Sequence, residues 1–476
     1  MDPRDKPEDD GVYRVMSDWD IETDVLVVGA GGCGLVAALA AHEAGARVAI
    51  VEKRERAGGN TALSTASIPA AGTRFQRAAG IDDDAARLVE DLMRKSGPHD
   101  MEHLTRRLAE ISAPLVEWLV DTAGVRLALI RDYRHVGHRV PRLHATDGCR
   151  GQDLFDDLER AVAARDIPIA LAHPVGGLIA DTGGAVEGAV VQGERTTPLN
   201  IGAAKVILAT NGYANAPELV RRFCPDIAGA PNYGALGSTG DALRLGAGLG
   251  AAVAHLGAYQ AHASLAYPHG SLMTWTVIEK GGFMVNRTGR RFADETAGYS
   301  AFAAPVIAEG NEAYAIYDAR IRDLVAGLSL EFAELVAAGG VRVADDAAAL
   351  AQAHGLDGAA LGQSIADYNA LATGSGADRF GRTAFGLAPL TPPYAITRVG
   401  AGLFHTQGGL KVDEDGRVLR RDGSPIPNLF AGGGAAAGIS GRTGGAGYVS
   451  GNGLLSALGL GWLAGRAAAR EVREER

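Results

Sequence analysis

The 476-residue sequence predicts an α/β protein in which a parallel-sheet domain is interrupted by an inserted α+β capping domain. Three observations carry this. Asp24–Val28 is a short apolar run that ends in a G-x-G-x-x-G turn, followed by helical sequence and a second apolar run, Arg47–Val51. Lys205–Thr210 and Pro427–Gly433 again read as apolar strands, the first running into Asn211-Gly212 and the second ending in two glycines. Between residues 257 and 406 the texture turns aromatic and histidine-rich. The expected division is an extension over 1–17, the first part of the sheet domain over 18–256, the cap over 257–406 and the rest of the sheet domain over 407–476.

Taken in order, residues 1–17 are charged, proline-bearing and aperiodic, which predicts disorder and leaves Met16 as an alternative start. Asp24–Val28 (DVLVV) suits a strand buried on both faces. In the turn, Gly29 makes the tight bend, Gly31 lets backbone N–H groups approach a pyrophosphate, and Gly34 lets helix pack on strand. A helix over Leu35–Ala44 ends at Gly45 and offers its N-terminus to the phosphates. Glu52, about 20 residues after the turn, is placed to accept hydrogen bonds from a ribose hydroxyl. Strand, turn, helix, strand and acid in this order predict a dinucleotide site.

Composition excludes several classes. The net charge of -10 argues against nucleic acid or an anionic membrane. Cys33, Cys149 and Cys224 form no paired motif, so no iron–sulfur or haem centre is expected, and no metal site. Neither a transmembrane-length apolar stretch nor a signal-peptide core appears, and the expected location is the cytoplasm.

Lys53-Arg54-Glu55-Arg56-Ala57-Gly58-Gly59-Asn60-Thr61 resembles the second phosphate-and-ribityl loop of glutathione-reductase-type flavoproteins, and Pro427–Gly433 is similar to the strand with which they close the FAD site. The resemblance implies a Rossmann-like, glutathione-reductase-type FAD domain. Its FAD contacts are expected at Gly29, Gly31, Gly32, Cys33, Gly34, Glu52, Lys53, Arg54, Gly59, Asn60, Thr61 and Ser64. Further contacts are expected at Val175, Ala209, Thr210, Asn211, Gly212, Asp241, Gly433, Gly434, Gly453 and Leu454. Asp241 has an equal claim as a helix cap. Succinate dehydrogenases tether flavin through a histidine shortly after the GG loop; Thr61–Ala71 contains none, so FAD is expected to be non-covalent.

Farther along, Asp82–Ala113 and Gly151–Arg165 read as helices, and Ile167–Leu171, Val175–Ala180 and Val186–Val191 as a small antiparallel sheet. His135, His138 and His144, interleaved with Arg134, Arg139 and Arg142, lack metal-ligand spacing and read as a solvated basic stretch. Arg287, Arg290 and Arg291 are expected in a turn on the cap.

From Asp24 onward the chain resembles the fumarate reductase/succinate dehydrogenase flavoprotein superfamily. The likeness rests on GAGGCG, EKRERAGGN, Gln260-Ala261-His262, Val285–Phe292 with Asp294-Glu295, His405-Thr406-Gln407-Gly408-Gly409 and AGGG. Soluble fumarate reductases grip a dicarboxylate with two histidines, a threonine and an arginine, and a second arginine donates the proton through a Glu/Arg relay. Here the histidines are His262 and His405 and the threonine is Thr274, but the relay falls on Trp275 and Ile278. The two arginines fall on Tyr299 and Tyr448. Gly447-Tyr448-Val449-Ser450-Gly451 is instead similar to the motif of flavin-dependent 3-ketosteroid 4-dehydrogenases, which implies Tyr448, Tyr299 and Ser450 as catalytic residues.

The chemistry implied is α,β-desaturation of a carbonyl compound, with a 3-ketosteroid first in line. A tyrosine whose pKa is lowered by the flavin environment or by neighbouring donors takes the α-proton and a hydride passes to flavin N5. A backbone N–H near Gly451 would donate to the enolate oxygen. Two readings stand beside it: a reductase or dehydrogenase of a small unsaturated or polycarboxylic acid using His262, His405 and Arg442, and a flavin electron-transfer subunit of a complex. The partners expected are a small-molecule substrate and an unidentified electron acceptor.

Overall fold

Six consecutive buried residues, Thr23–Val28, require a strand covered on both faces, and the sheet is built around it. A computed structural model describes residues 12–14, 18–131, 135–193 and 197–476, with Arg14 described in its backbone alone. Arg134, from the basic stretch, lies outside these residues, as does most of the extension over 1–17. The chain separates into two compact units. One comprises Met1–Cys224, Gly234–Tyr259 and His405–Arg476; the other comprises Pro225–Tyr233 and Gln260–Phe404.

In the first unit, β1 (Val12–Arg14) precedes β2 (Ile21–Val28), α1 (Gly32–Glu43) and β3 (Val48–Val51). Helices α2 (Ala85–Ser96), α3 (Glu102–Asp121) and α4 (Gly151–Ala163) lead to β4 (Ile169–Ala170), β5 (Val175–Ala180), β6 (Val186–Val191) and β7 (Leu199–Leu208). The chain returns with β8 (Pro425–Ala431) and the long α5 (Asn452–Glu474). Strand β2 pairs in parallel with β3 and β7, and β3 with β4. The first half of β7 runs antiparallel to β6, and its end runs parallel to β8.

Two expectations are corrected here. Val12–Arg14, placed in a disordered extension, forms an edge strand parallel to β5, because Val12 is buried in the core and β5 offers an open backbone edge. The small antiparallel sheet does not stand apart. Its members β5 and β6 pair antiparallel but continue the main sheet through β7, and Ile169–Ala170 joins the opposite edge in parallel. Their alternation reports one covered face, which a strand at the flank of a large sheet shares with a strand of a small one.

Glycines in α5 let it lie directly on α1: side chains at Gly461 and Gly465 would strike the backbone of Cys33 and Ala37. The far end of α5 is tied down by Lys205, 1% exposed, whose ammonium meets Glu471 at 3.2 Å, Glu475 at 2.5 Å and Asn428 at 2.7 Å.

In the second unit, Ala313–Asp318 pairs antiparallel with Phe283–Val285 and with Tyr394–Val399 of a longer strand, which also takes Arg342–Ala344. Arg291, expected in a turn on the cap, is buried and binds Glu295 at 2.7 Å and Asp378 at 2.9 Å. Arg382 reaches the same Glu295 at 3.3 Å. Two guanidinium groups offset two carboxylates, so the burial leaves no unpaired charge. Among the described residues no helix is long and apolar enough to cross a membrane, and no cluster of ligating side chains could hold a metal.

Candidate active site

The glycine-rich turn has the geometry its spacing predicts. Gly29 sits at φ +113°, and a Cβ there would collide with the Ala209 carbonyl; a Cβ at Gly34 would strike the Gly29 carbonyl. Above Gly31, by contrast, the nearest atom to an added Cβ is the Gly58 carbonyl at 3.7 Å, so the backbone is open to a ligand. Helix α1 starts at Gly32, earlier than Leu35, and its N-cap Gly31 brings no side chain to close the donor end. Glu52 is held by the backbone N–H of Ala30 and of Arg54, both at 2.9 Å. Thr210 Oγ1, at the tip of β7, is buried and without a hydrogen-bond partner.

Other expected contacts are engaged with the protein. Lys53 binds Asp241 at 2.7 Å and Thr239 at 2.6 Å, and Asn60 accepts from the Ala235 N–H at 2.6 Å. Thr61 accepts from the Gly32 N–H at 3.2 Å, and Ser64 donates to the Thr61 carbonyl at 2.7 Å. Asn211, at φ +65°, accepts from its neighbour Gly212 at 2.8 Å. Cys33 turns its thiol toward Gly432 and Gly433, and burial pushes it up to about 12, so it stays a thiol. The Val175 carbonyl accepts from Arg244 at 3.1 Å. Gly59 opens the short helix after the basic loop, Gly434 faces Asn211, and Arg54 sits beside Gly237. All the expected cofactor residues lie in the first unit.

The same unit assembles Tyr448, His405 and the start of α5. Tyr448 Oη accepts from the Gly453 N–H at 3.3 Å, and its ring meets His405 edge to face with centroids 5.7 Å apart. A methyl at Gly453 would stand 2.9 Å from His405 Nε2 and 3.3 Å from Tyr448 Oη, so the two polar atoms converge over a backbone that carries no side chain. Gln407 Nε2 donates to His405 Nδ1 at 3.0 Å, which leaves Nε2 as the protonated nitrogen. Burial holds His405 down to about 4, so it is a neutral donor. Burial pushes Tyr448 up to about 12, against the Gly453 N–H, which favours the phenolate. Here burial outweighs the Gly453 N–H, a neighbouring donor of the kind expected to lower the tyrosine. Leu454 follows in the first turn of α5.

Ser450 contributes its backbone: its carbonyl accepts from His138 Nε2 at 2.8 Å and its N–H donates to the Val136 carbonyl at 3.2 Å. Gly451 caps α5 at φ +87°, packed against Pro69. Arg442 does not face this group. It is 60% exposed and pairs with Asp100 at 3.3 Å.

In the second unit, His262 stacks on Tyr299 with centroids 4.6 Å apart and 13° between planes, with Trp275 at its edge and Phe404 nearby. The Ser264 N–H and Oγ lie 3.3 and 3.0 Å from His262 Nδ1, and burial holds the ring down to about 3, so it is neutral. Thr274 Oγ1 lies 3.1 Å from Thr276 Oγ1. Trp275 and Ile278, at the relay positions, are buried apolar residues.

Gln407, His138 and Arg142 escaped the sequence reading. Gln407 was within reach, because residues two apart along an extended strand share a face. The solvated reading holds for Arg139, which is exposed, and is overturned for His138, Arg142 and His144, which are buried; Arg142 is bound by Asp83 and Asp91, each at 2.6 Å.

A model of the FAD binding domain family matches residues 24–454. The chain belongs to the FAD binding domain family. A protein described as a probable fumarate reductase of Shewanella frigidimarina is 32% identical over 459 residues, covering 95% of this chain and 76% of that protein. The open conformation of a flavocytochrome c3 fumarate reductase is 31% identical with a TM-score of 0.79, over 96% of this chain and 79% of that one. The 3-ketosteroid-Δ4-(5α)-dehydrogenase of Rhodococcus jostii RHA1 is 26% identical with a TM-score of 0.76, over 96% and 98%. The protein is thus an FAD-dependent oxidoreductase of the fumarate reductase/succinate dehydrogenase flavoproteins. Its first unit suits FAD: the open Gly31 backbone and the N-terminus of α1 fit a pyrophosphate, Glu52 fits a ribose, and Thr210 Oγ1 has hydrogen-bonding capacity to spare.

Proposed function

We propose that this FAD-binding oxidoreductase desaturates, or in reverse reduces, the carbon–carbon bond beside a ketone, with a ketosteroid-like ring system as substrate. One observation carries the reading: Tyr448, His405 and the Gly453 N–H form a buried group of uncharged hydrogen-bonding atoms where the fumarate reductases carry an arginine. A carboxylate wants a guanidinium fork, and Arg442 is spent on Asp100. A ketone oxygen wants neutral donors, and His405 presents a protonated Nε2. The aromatic surroundings of His262 and Tyr299 suit an apolar ring better than a small acid.

FAD, when bound, supplies the two-electron acceptor. The chain's own work is to hold the carbonyl and move one proton. Tyr448, a phenol in this buried setting, gives its proton to the α-carbon in reduction and recovers it in desaturation, with the positive end of α5 and the Gly453 N–H steadying the phenolate. Ser450 and Tyr299 are proposed as further catalytic residues and Thr274 as a substrate-binding one.

The small-acid reading keeps one argument, the fumarate reductase relatives. Purified protein with reduced viologen should separate the two: fumarate reduction is expected to stay at background while a 3-ketosteroid reoxidises or bleaches the flavin. Brisk fumarate turnover would refute the ketone assignment.

We also propose that the flavin is held without a covalent bond, since no histidine occurs over Thr61–Ala71. Acid precipitation should leave the yellow chromophore in the supernatant. A yellow pellet would overturn it.

A further inference from the structure

We propose that His138 is a positioning residue for the turn that carries Tyr448, and that the buried Arg142–Asp83–Asp91 cluster holds it in place. The proposal rests on the assignment of Tyr448 as the proton carrier. Residues 136–138 grip 449–450 from both sides. The Val136 carbonyl takes the Ser450 N–H at 3.2 Å, and His138 Nε2 gives a hydrogen bond to the Ser450 carbonyl at 2.8 Å. Between them Gly137, at φ +90°, lies so close to Val449 that a methyl would come within 2.7 Å of its Cγ1. Tyr448 precedes this grip by one residue. The helix that returns an N–H to its phenol follows two residues later.

The state of His138 follows from its partners. A carbonyl only accepts, so Nε2 carries the proton. A guanidinium only donates, and Arg142 Nη1 stands 3.4 Å from Nδ1, so Nδ1 is bare. Both partners select the same neutral tautomer, and burial holds the ring down to about 4. With one nitrogen permanently a donor and the other an acceptor, His138 does not ferry protons. It is a strut of fixed length between the turn and Arg142.

Arg142 cannot move. Its guanidinium has no exposed surface and binds Asp83 at 2.6 and 2.8 Å and Asp91 at 2.6 Å. Asp91 also takes the backbone N–H of Arg139 at 2.9 Å, its Nε at 2.8 Å, and Arg94 at 2.7 Å. Helix α2 is thereby coupled, through one imidazole, to the backbone one residue after Val449.

The test compares His138→Leu and His138→Gln in the FAD-loaded protein, with Tyr448→Phe as control. His138→Gln keeps an N–H near the Nε2 position; His138→Leu removes it. We expect His138→Leu to lower kcat by about 10- to 100-fold, the cost of a small misplacement of a reacting group. KM should move less than about threefold because His138 does not touch substrate. The glutamine variant should recover most of kcat.

A substrate-free readout accompanies this. In protein carrying 13C at the tyrosine ζ carbon, with the Tyr448 signal assigned by its loss in Tyr448→Phe, His138→Leu should shift that signal and bring its titration toward the ordinary value of about 10. An unmoved signal with wild-type kcat would overturn the proposal, provided Tyr448→Phe is inactive. An active Tyr448→Phe would sink the functional assignment while leaving the NMR comparison to decide the strut. If His138→Leu fails to fold, His138→Asn, too short to reach Ser450, must show the same shift, and its absence counts against the strut.

Discussion

Replacing Tyr448 with phenylalanine is expected to lower turnover by about 10²- to 10⁴-fold, the range a positioned proton-transfer group supplies, with FAD still bound. The substitution removes one oxygen from a buried ring that keeps its edge-to-face contact with His405, so the packing survives and the Gly453 N–H loses its acceptor. Stopped-flow bleaching with a 3-ketosteroid, beside flavin absorbance of the resting protein, separates the two effects. A fully active variant would remove Tyr448 from the mechanism. The raised phenol adds a direction: desaturation needs the phenolate to accept a proton, and that form grows as pH rises toward about 12. The rate of flavin reduction should therefore climb from neutral into alkaline pH and depend on Tyr448.

The second large effect concerns stability. Arg142→Ala strands Asp83 and Asp91 without their buried partner, and breaking such a pair costs about 3–5 kcal/mol. Arg442→Ala removes an ion pair with both members largely in water, worth less than about 1 kcal/mol. Urea unfolding followed by flavin fluorescence should show a large drop in midpoint for the first and almost none for the second; equal midpoints would contradict the burial argument. Asp91 gives the pH signature. Its arginine neighbours hold it down to about 2 against burial, below the unfolded value of about 3.9. The contribution is complete above that unfolded value and drains away as pH falls through about 2.

These cases show what local pattern conveys. The turn from Val28 to Gly34 was legible because its strand, glycines, helix and acid lie within one short stretch, and glycine at Gly29 is dictated by the backbone itself. Tyr448 could be singled out because it stands where the resemblance implies an arginine. The basic stretch was misread because the acids that neutralise it come from about fifty residues earlier, and no periodicity links Asp83 or Asp91 to Arg142. Charge alone looked like solvation; paired charge proved to be core. The burial that raises Tyr448 was not legible for a related reason. Its neighbours could be guessed from sequence, but burial is a property of the assembled fold.

The three residues of β1 are small in number and large in position. They cover the backbone of β5, which would otherwise be the last strand of the sheet on that side. An uncovered edge would offer that row of N–H and C=O groups to a strand from another molecule, so these three residues act as a guard against self-association.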